Sequence, residues 1–441
     1  MYNIPKKYSS ILTCLKCFCI DSLWQFAKES YEGSGGFSNG NYLDKYPRER
    51  EEKYEQRKEI AYYTNLFASK VSRFTGYIFK QKPSRLTNSK LLKIILDDID
   101  NHKNSADVFF SNFAKIAKIY GCNLILIDMP KELPNNLSDQ IAKRALPYVV
   151  QIDPQRLLSY KLDFFGNFEF VTFTDTLDLS KKDNQEIKSI KRYYDKTSWV
   201  IYDEDDKVIE RGEHNLGVTP LLIFSENGSF PTIGEFTQIA QLQKRHYNLQ
   251  SELDEILRGQ TFSILTLQTN SNGDISLSTD NALVYQKDTD RPEFIAPPAA
   301  PAEVYQQRIK EIEKQIDTIA YDITTNQSQE SGIALTLKFQ GLNSSLSNFA
   351  QRLEDFELRV YEVMFRYLGE KFDITVNYAK EFSIVDIEKE IAILEQLQGL
   401  IHAPTYFKLK AMQIITNDLN TIDLEDLAKI QAEVEDGMKQ R

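Results

Sequence analysis

Between residues 335 and 367, apolar side chains return every three or four positions: Leu335, Phe339, Leu342, Leu346, Phe349, Leu353, Phe356, Val360, Val363 and Tyr367. At 3.6 residues per turn these fall on one stripe, which predicts a single unbroken helix of roughly 50 Å. A stripe so narrow does not fill a broad core. It packs against neighbouring helices. Two shorter stretches repeat the pattern, one through Ile239, Leu242, His246, Leu249, Leu253 and Ile256, the other through Tyr305, Ile309, Ile312, Ile316, Ile319 and Ile323. On periodicity alone, an ordinary helical bundle is the simpler reading, and helices that each face another copy of the chain are the alternative.

The segments around these helices are punctuated clearly. Thr232-Ile-Gly-Glu235 after Pro231 has the form of a capping box and predicts a helix start. That helix should stop at Gly259. Strand-like stretches follow at Phe262–Leu267 and Ala282–Gln286, with the turn signal Asn272-Gly273 between them. Residues 292–301 read as extended and stiff, and Pro301 is placed to open the next helix. A polar run, residues 324–332, separates that helix from the long one. Beyond it, Phe372–Tyr378 alternates like a strand, and the tail reads as helical around Ile384–Gln398, Tyr406–Ile415 and Leu424–Glu435.

The N-terminal half is different. Residues 33–40 are glycine-rich and read as a flexible loop, with no following Gly-Lys-Ser/Thr to make a phosphate loop. A helix is predicted from about Arg48 to Lys70, running on to Gly76, and another from Ser105 to Tyr120 closed by Gly121. Asn123–Asp128 reads as a buried strand. Tyr148–Ile152, Phe168–Phe173, Trp199–Tyr202 and Leu221–Phe224 are rich in β-branched and aromatic residues and read as strands, with Asp203–Asp206 as a hairpin turn. The expected fold class is therefore α+β.

Composition narrows the function. Apolar residues make up 41% of the chain, with 23 Tyr and 26 Phe, which excludes a disordered polymer. The formal charge of −11 argues against tight non-specific binding of nucleic acid, because such binding draws on Lys and Arg. Residues 381–441 alone carry twelve acidic against six basic residues. Cys14, Cys17 and Cys19 have no histidine near them and read, with Cys122, as reduced thiols rather than a metal site. Lys16 interrupts the apolar run Ile11–Ile20, so neither a secretory signal nor a membrane span is expected. His-Glu-x-x-His and Walker A motifs are both missing. His102, His214, His246 and His402 are scattered, and His246 on its helix stripe reads as packed or partnered. Asp97, Asp98 and Asp100 read as a solvated helix face. No catalytic residue, metal or cofactor is expected.

Five local strings occur in an order that resembles the portal proteins of tailed bacteriophages, specifically the subfamily long filed as a domain of unknown function. They are Tyr42-Leu-Asp-Lys-Tyr-Pro-Arg-Glu49, the helical string Arg57–Asn65 leading to Thr75–Phe79 and Pro83, Tyr120–Pro130, His214–Pro220, and Ser331-Gly-Ile-Ala-Leu335. The resemblance spans about residues 42–370.

It implies a portal fold: a mixed wing over 1–231, stem helices at 232–258 and 301–323 bracketing a small β clip at 259–300, a channel loop at 324–332, a long helix and wing strand at 333–380, and a small helical crown at 381–441. It also implies a non-enzymatic subunit of a dodecameric ring at one capsid vertex, assembled in the host cytoplasm. Double-stranded DNA would pass through the ring during packaging and ejection. Its implied partners are the terminase large subunit, the major capsid protein, a head–tail adaptor and scaffold. The channel loop would be Thr324, Thr325, Asn326, Gln327, Ser328, Gln329, Glu330 and Ser331, which has no basic residue to grip phosphates. The stripe Ile309, Ile312, Ile316 and Ile319 would face the neighbouring copy, since head-to-tail contacts close into rings when the rotation permits. The clip strands could pair with those of the next copy. Two other classes stay open: another phage head–tail connector or minor head protein, and an enzyme with an unrecognised site.

Overall fold

A computed structural model describes residues 18–131, 134, 136–178, 187–261, 264–266, 293–295, 300–321, 332–382, 403–418, 429–430 and 432–434. Helices and strands are both abundant, and the chain is α+β as expected. It divides into two compact units. One comprises Met1–Gln25, Ser69–Thr237 and Tyr321–Arg441, the other Phe26–Ala68 and Gln238–Ala320. The stretch 26–68 thus groups with Gln238–Ala320.

Helix α1 (Phe18–Glu32) runs from the first unit into the second, and α3 (Leu66–Ile78) returns to the first and leads to strand β1 (Ser84–Leu86). Helices α4 (Lys90–Asp97) and α5 (Ala106–Tyr120) follow, and α5 runs directly into β2 (Cys122–Asp128). The junction is Gly121, at φ +81°, where a Cβ would lie 2.2 Å from the Gly234 nitrogen, so no side chain fits. A short helix, α6 (Leu137–Ala142), and β3 (Tyr148–Ile152) come next.

β2 is the centre of a three-stranded antiparallel sheet, between β3 and β9 (Leu221–Ser225). Strands β4 (Leu157–Leu162), β5 (Phe168–Asp178), β6 (Ile187–Asp195), β7 (Ser198–Tyr202) and β8 (Val208–Glu213) form a five-stranded antiparallel meander in chain order. The two sheets share one core: Leu124, Leu126 and Ile152 pack with Leu157, Phe168, Val171, Phe173 and Tyr194. Burying each such side chain contributes about 1.5–3 kcal/mol. Asp203–Asp206 forms the β7–β8 turn as expected, with Asp206 at φ +64°.

The long helix appears as α9 (Gly332–Leu368), 37 residues and about 55 Å. Its Phe356 stacks on Phe113 of α5 at 5.1 Å, and Phe224 of β9 meets both Phe349 and Phe356 edge-on. β12 (Thr375–Asn377) returns to pair with β1. There Arg85 is ion-paired with the fully buried Glu357 and with Asp107, while Tyr361 and Tyr378 both donate to Glu357. The buried guanidinium is tolerated because it is paired with two carboxylates and hydrogen-bonded to both oxygens of Glu357.

The second unit contains α2 (Glu51–Ile60), α7 (Thr237–Thr261), β10 (Ile264–Thr266), β11 (Glu293–Ile295) and α8 (Ala300–Ile319). Its aromatic core is Phe37, Leu43 and Tyr247, enclosed by Phe26, Tyr42, Tyr54 and Tyr63. α10 (Pro404–Asp418) lies in the tail.

Three expectations are corrected. The glycine-rich stretch 33–40 is folded into hydrogen-bonded turns around the buried Phe37 and is not an open loop. The single helix Arg48–Gly76 is broken at 61–65. Asn65 caps the Ala68 amide, and the distant Gln243 holds both the Thr64 carbonyl and the Leu66 amide. The Thr232 capping box does not form. α7 begins at Thr237, because Glu235 is taken by Lys118 and the Thr232 hydroxyl by Asn227. The stiff stretch 292–301 contributes a strand, β11, which pairs with β10.

Candidate functional site

Two arrangements bear on function. The first is the helix pair of the second unit. α7 runs into β10, β11 runs into α8, and the two strands pair antiparallel, Ile264 opposite Ile295 and Thr266 opposite Glu293. A small β element is therefore bracketed by helices of 25 and 20 residues. His246 of α7 is buried and lies 3.2 Å from Glu313 of α8 through Nε2. It is packed and partnered, as its place on the stripe suggested.

Ile309, Ile312 and Ile316 are already buried within the single chain, and Ile319 is partly exposed. These side chains are used in packing the chain itself. Thr324, Thr325, Asn326, Gln327, Ser328, Gln329, Glu330 and Ser331 lie outside the described residues. So do most of 259–300 and of the tail, and the side chains of Cys14, Cys17 and Cys19.

The second arrangement lies in the first unit, at Tyr321, where the described chain stops before 322–331. A pocket of about 430 Å³ opens there, with Glu226, Glu235, Tyr321, Ser345, Asn348 and Arg352 in its walls. Behind it, Lys118 is buried on α5, ion-paired with Glu226 and, at 2.9 Å, with Glu235. The rings of Phe74, Phe236 and Phe349 lie 4.2, 4.2 and 5.4 Å from its ammonium. Glu235 also accepts from the Tyr321 hydroxyl at 2.7 Å. Burial, then this bond to Glu235, push the phenol up to about 12. The pocket thus holds a clasp: one buried ammonium gathers two carboxylates, and one carboxylate holds the chain where it leaves for 322–331. The signal was present in the sequence, since Lys118 interrupts an apolar helix face made by Phe110, Ala114 and Ala117.

The strings that carried the resemblance prove to be scaffold. Glu49 receives both Nε and Nη2 of the buried Arg57 at 2.9 Å, and Asp44 offers its carbonyl to the same guanidinium at 2.7 Å. Tyr46 and Tyr54 lie over it at 4.9 and 5.5 Å. Tyr120 donates to Asp153. His214 bonds to the Asp195 carbonyl, and burial holds its pKa below the ordinary imidazole value. Asp98 and Asp100 organise the loop after α4, through Lys103, His102 and Asn104, rather than lining a solvated helix face. Cys122 is free and buried, and burial pushes its thiol up, away from reactivity. Among the described residues, no group of three or more His, Cys, Asp or Glu could hold a metal. No helix among them is long and apolar enough to cross a membrane.

A protein family described as a domain of unknown function (DUF4055) matches residues 235–368. No curated protein matches the chain. Among solved structures, a chain in the neck of an empty gene transfer agent particle, computed with C6 symmetry, is similar at 9% identity and a TM-score of 0.45, over 79% of this chain and 90% of that one. A chain from the virion of a native gene transfer agent particle is similar at 8% identity and a TM-score of 0.42, over 78% of this chain and 89% of that one.

Proposed function

We propose that the chain is the subunit of a phage portal ring, a dodecamer at one capsid vertex through which DNA is packaged and ejected. The observation that carries this reading is the β10–β11 pair held between α7 and α8, followed by the 37-residue α9. It supports the assignment of stem helix, clip, stem helix and long helix, and the matched span 235–368 covers all four. The clip would dock the terminase large subunit during packaging and a head–tail adaptor afterwards, with the major capsid protein and scaffold around the wing. No catalysis is needed. The ATP hydrolysis of packaging belongs to the terminase.

The segment 324–332 would face the channel. It has no Lys or Arg, so DNA slides past without being gripped. The Tyr321–Glu235–Lys118 clasp would anchor its first end. A double variant, Gln327→Lys with Gln329→Lys, tests this placement. Wild-type rings should bind free duplex weakly. The variant should bind tightly at low salt, with a log–log salt slope approaching about −0.9 per newly contacted phosphate. Fluorescence anisotropy across a salt series reads the slope. Binding by the variant no tighter than that of the wild type would place the segment away from the DNA.

A further inference from the structure

Phe164 and Phe165 are the most exposed large apolar side chains among the described residues, at 96% and 83%. They sit on a well-built turn between β4 and β5. The Asp163 amide donates to the Asn167 carbonyl at 2.8 Å, and the Asp163 carboxylate accepts from the Phe165 and Asn167 amides, both at 2.9 Å. Gly166, at φ +80°, completes the reversal. The two rings meet edge-on at 5.5 Å. Asp163, Gly166 and Asn167 supply all of that turn chemistry, and polar residues at 164 and 165 would close it equally well. A paired aromatic knob on a rigid tip, with no part in the core, is what an interface anchor looks like.

The same sheet carries a second exposed apolar spot. Val208 and Ile209, at the start of β8, are 55% and 48% exposed. β4 and β8 are the two edges of the meander. Because every neighbouring pair is antiparallel, the β4–β5 and β7–β8 turns lie at opposite ends. The knob and the Val208–Ile209 spot therefore occupy diagonally opposite corners, about 19 Å apart across the strands. Different patches on opposite edges of one body are what a head-to-tail contact requires, whereas a two-fold contact would use one patch twice.

We infer that the Phe164–Phe165 knob of one copy of this chain seats against the Val208–Ile209 corner of the next. The inference rests on the ring reading and names one of its contacts. The knob offers about 300–400 Å² of aromatic surface, against about 800 Å² per partner in a standard interface. That is too little for an independent complex with a foreign protein, and in scale for one part of a seam between copies. A lipid surface fits less well. Asp163, Asp195 and Glu213 lie at the knob's end of the sheet, and Lys161 and Lys196 there are each within 4.0 Å of a carboxylate, so anionic headgroups find little to attract them.

Sedimentation over a dilution series tests it with the full chain, Phe164→Ser/Phe165→Ser, and Val208→Ser/Ile209→Ser. Each substitution is on the surface, and thermal unfolding should match the wild type. Each variant should dissociate at a protein concentration at least tenfold higher than the wild type. An equal mixture, diluted until neither variant assembles alone, should accumulate a species of twice the 51.0 kDa chain mass, since one matched contact survives per pair. Unchanged rings in either variant overturn the contact and leave the ring reading intact. Loss in the phenylalanine variant alone means the knob seats elsewhere, and its binding to phosphatidylserine vesicles would identify a membrane. A wild type that stays monomeric at every concentration overturns both.

Discussion

Aspartate at positions 312 and 316 should unfold the α7–α8 helix pair. Ile312 and Ile316 are both fully buried. Each replacement forfeits about 1.5–3 kcal/mol of apolar burial. It also leaves a carboxylate with no partner in an apolar contact, at several kcal/mol more after relaxation. Two such changes rival the whole stability of a typical domain, about 5–15 kcal/mol. The variant should lose helical circular dichroism and its cooperative thermal transition. Val304→Asp on the same helix is the control. Val304 is 64% exposed, and its replacement should change stability by no more than about 0.5 kcal/mol. A folded double variant would show that the stripe is not buried in the chain. Rings lost from a still-folded protein would identify the stripe as a seam between copies.

The second large effect is at Arg57. Its side chain is fully buried and that of its partner Glu49 is 5% exposed. Removing the guanidinium by Arg57→Ala strands Glu49 and frees the Asp44 carbonyl, at a cost of about 3–5 kcal/mol. Arg57→Lys should recover only part of this, because an ammonium cannot span both Glu49 oxygens and the carbonyl together. The pair also has a pH signature. Burial pushes the Glu49 carboxyl up, and the Arg57 hydrogen bond and the Tyr46 amide more than reverse it, holding it below the ordinary carboxylate value. A carboxyl lowered in the folded state adds stability that is present above the unfolded value, about 4.3, and is lost as pH falls through the folded value. Urea titrations from pH 7 downward should show this acid loss in the wild type and little of it in Arg57→Ala. Equal acid slopes in the two proteins would rule out the pair as its source.

Local signals in the sequence carried much of this fold. Gly121 closed α5 where its φ of +81° requires, β3 spans Tyr148–Ile152 as its β-branched run indicated, and the α9 stripe ran its full length. What escaped depended on distant residues. The break at 61–65 is set by Gln243, 177 positions from Leu66. The Thr232 box had the right letters, but Glu235 answers to Lys118, 117 positions away. The clasp at Tyr321 was missed for the same reason: three of its members, Lys118, Glu226 and Glu235, come from separate segments, and only the apolar setting of Lys118 marked it. The α8 stripe was read correctly as a helix face, and its burial within the chain depends on packing that periodicity does not reveal.

Negative-stain electron microscopy of the purified protein tests whether this chain closes into a ring. A portal ring should appear as annular particles with a stain-filled central hole, with class averages showing twelve regular rotational repeats. Monodisperse single-chain particles, or compact oligomers with no central hole, would contradict it.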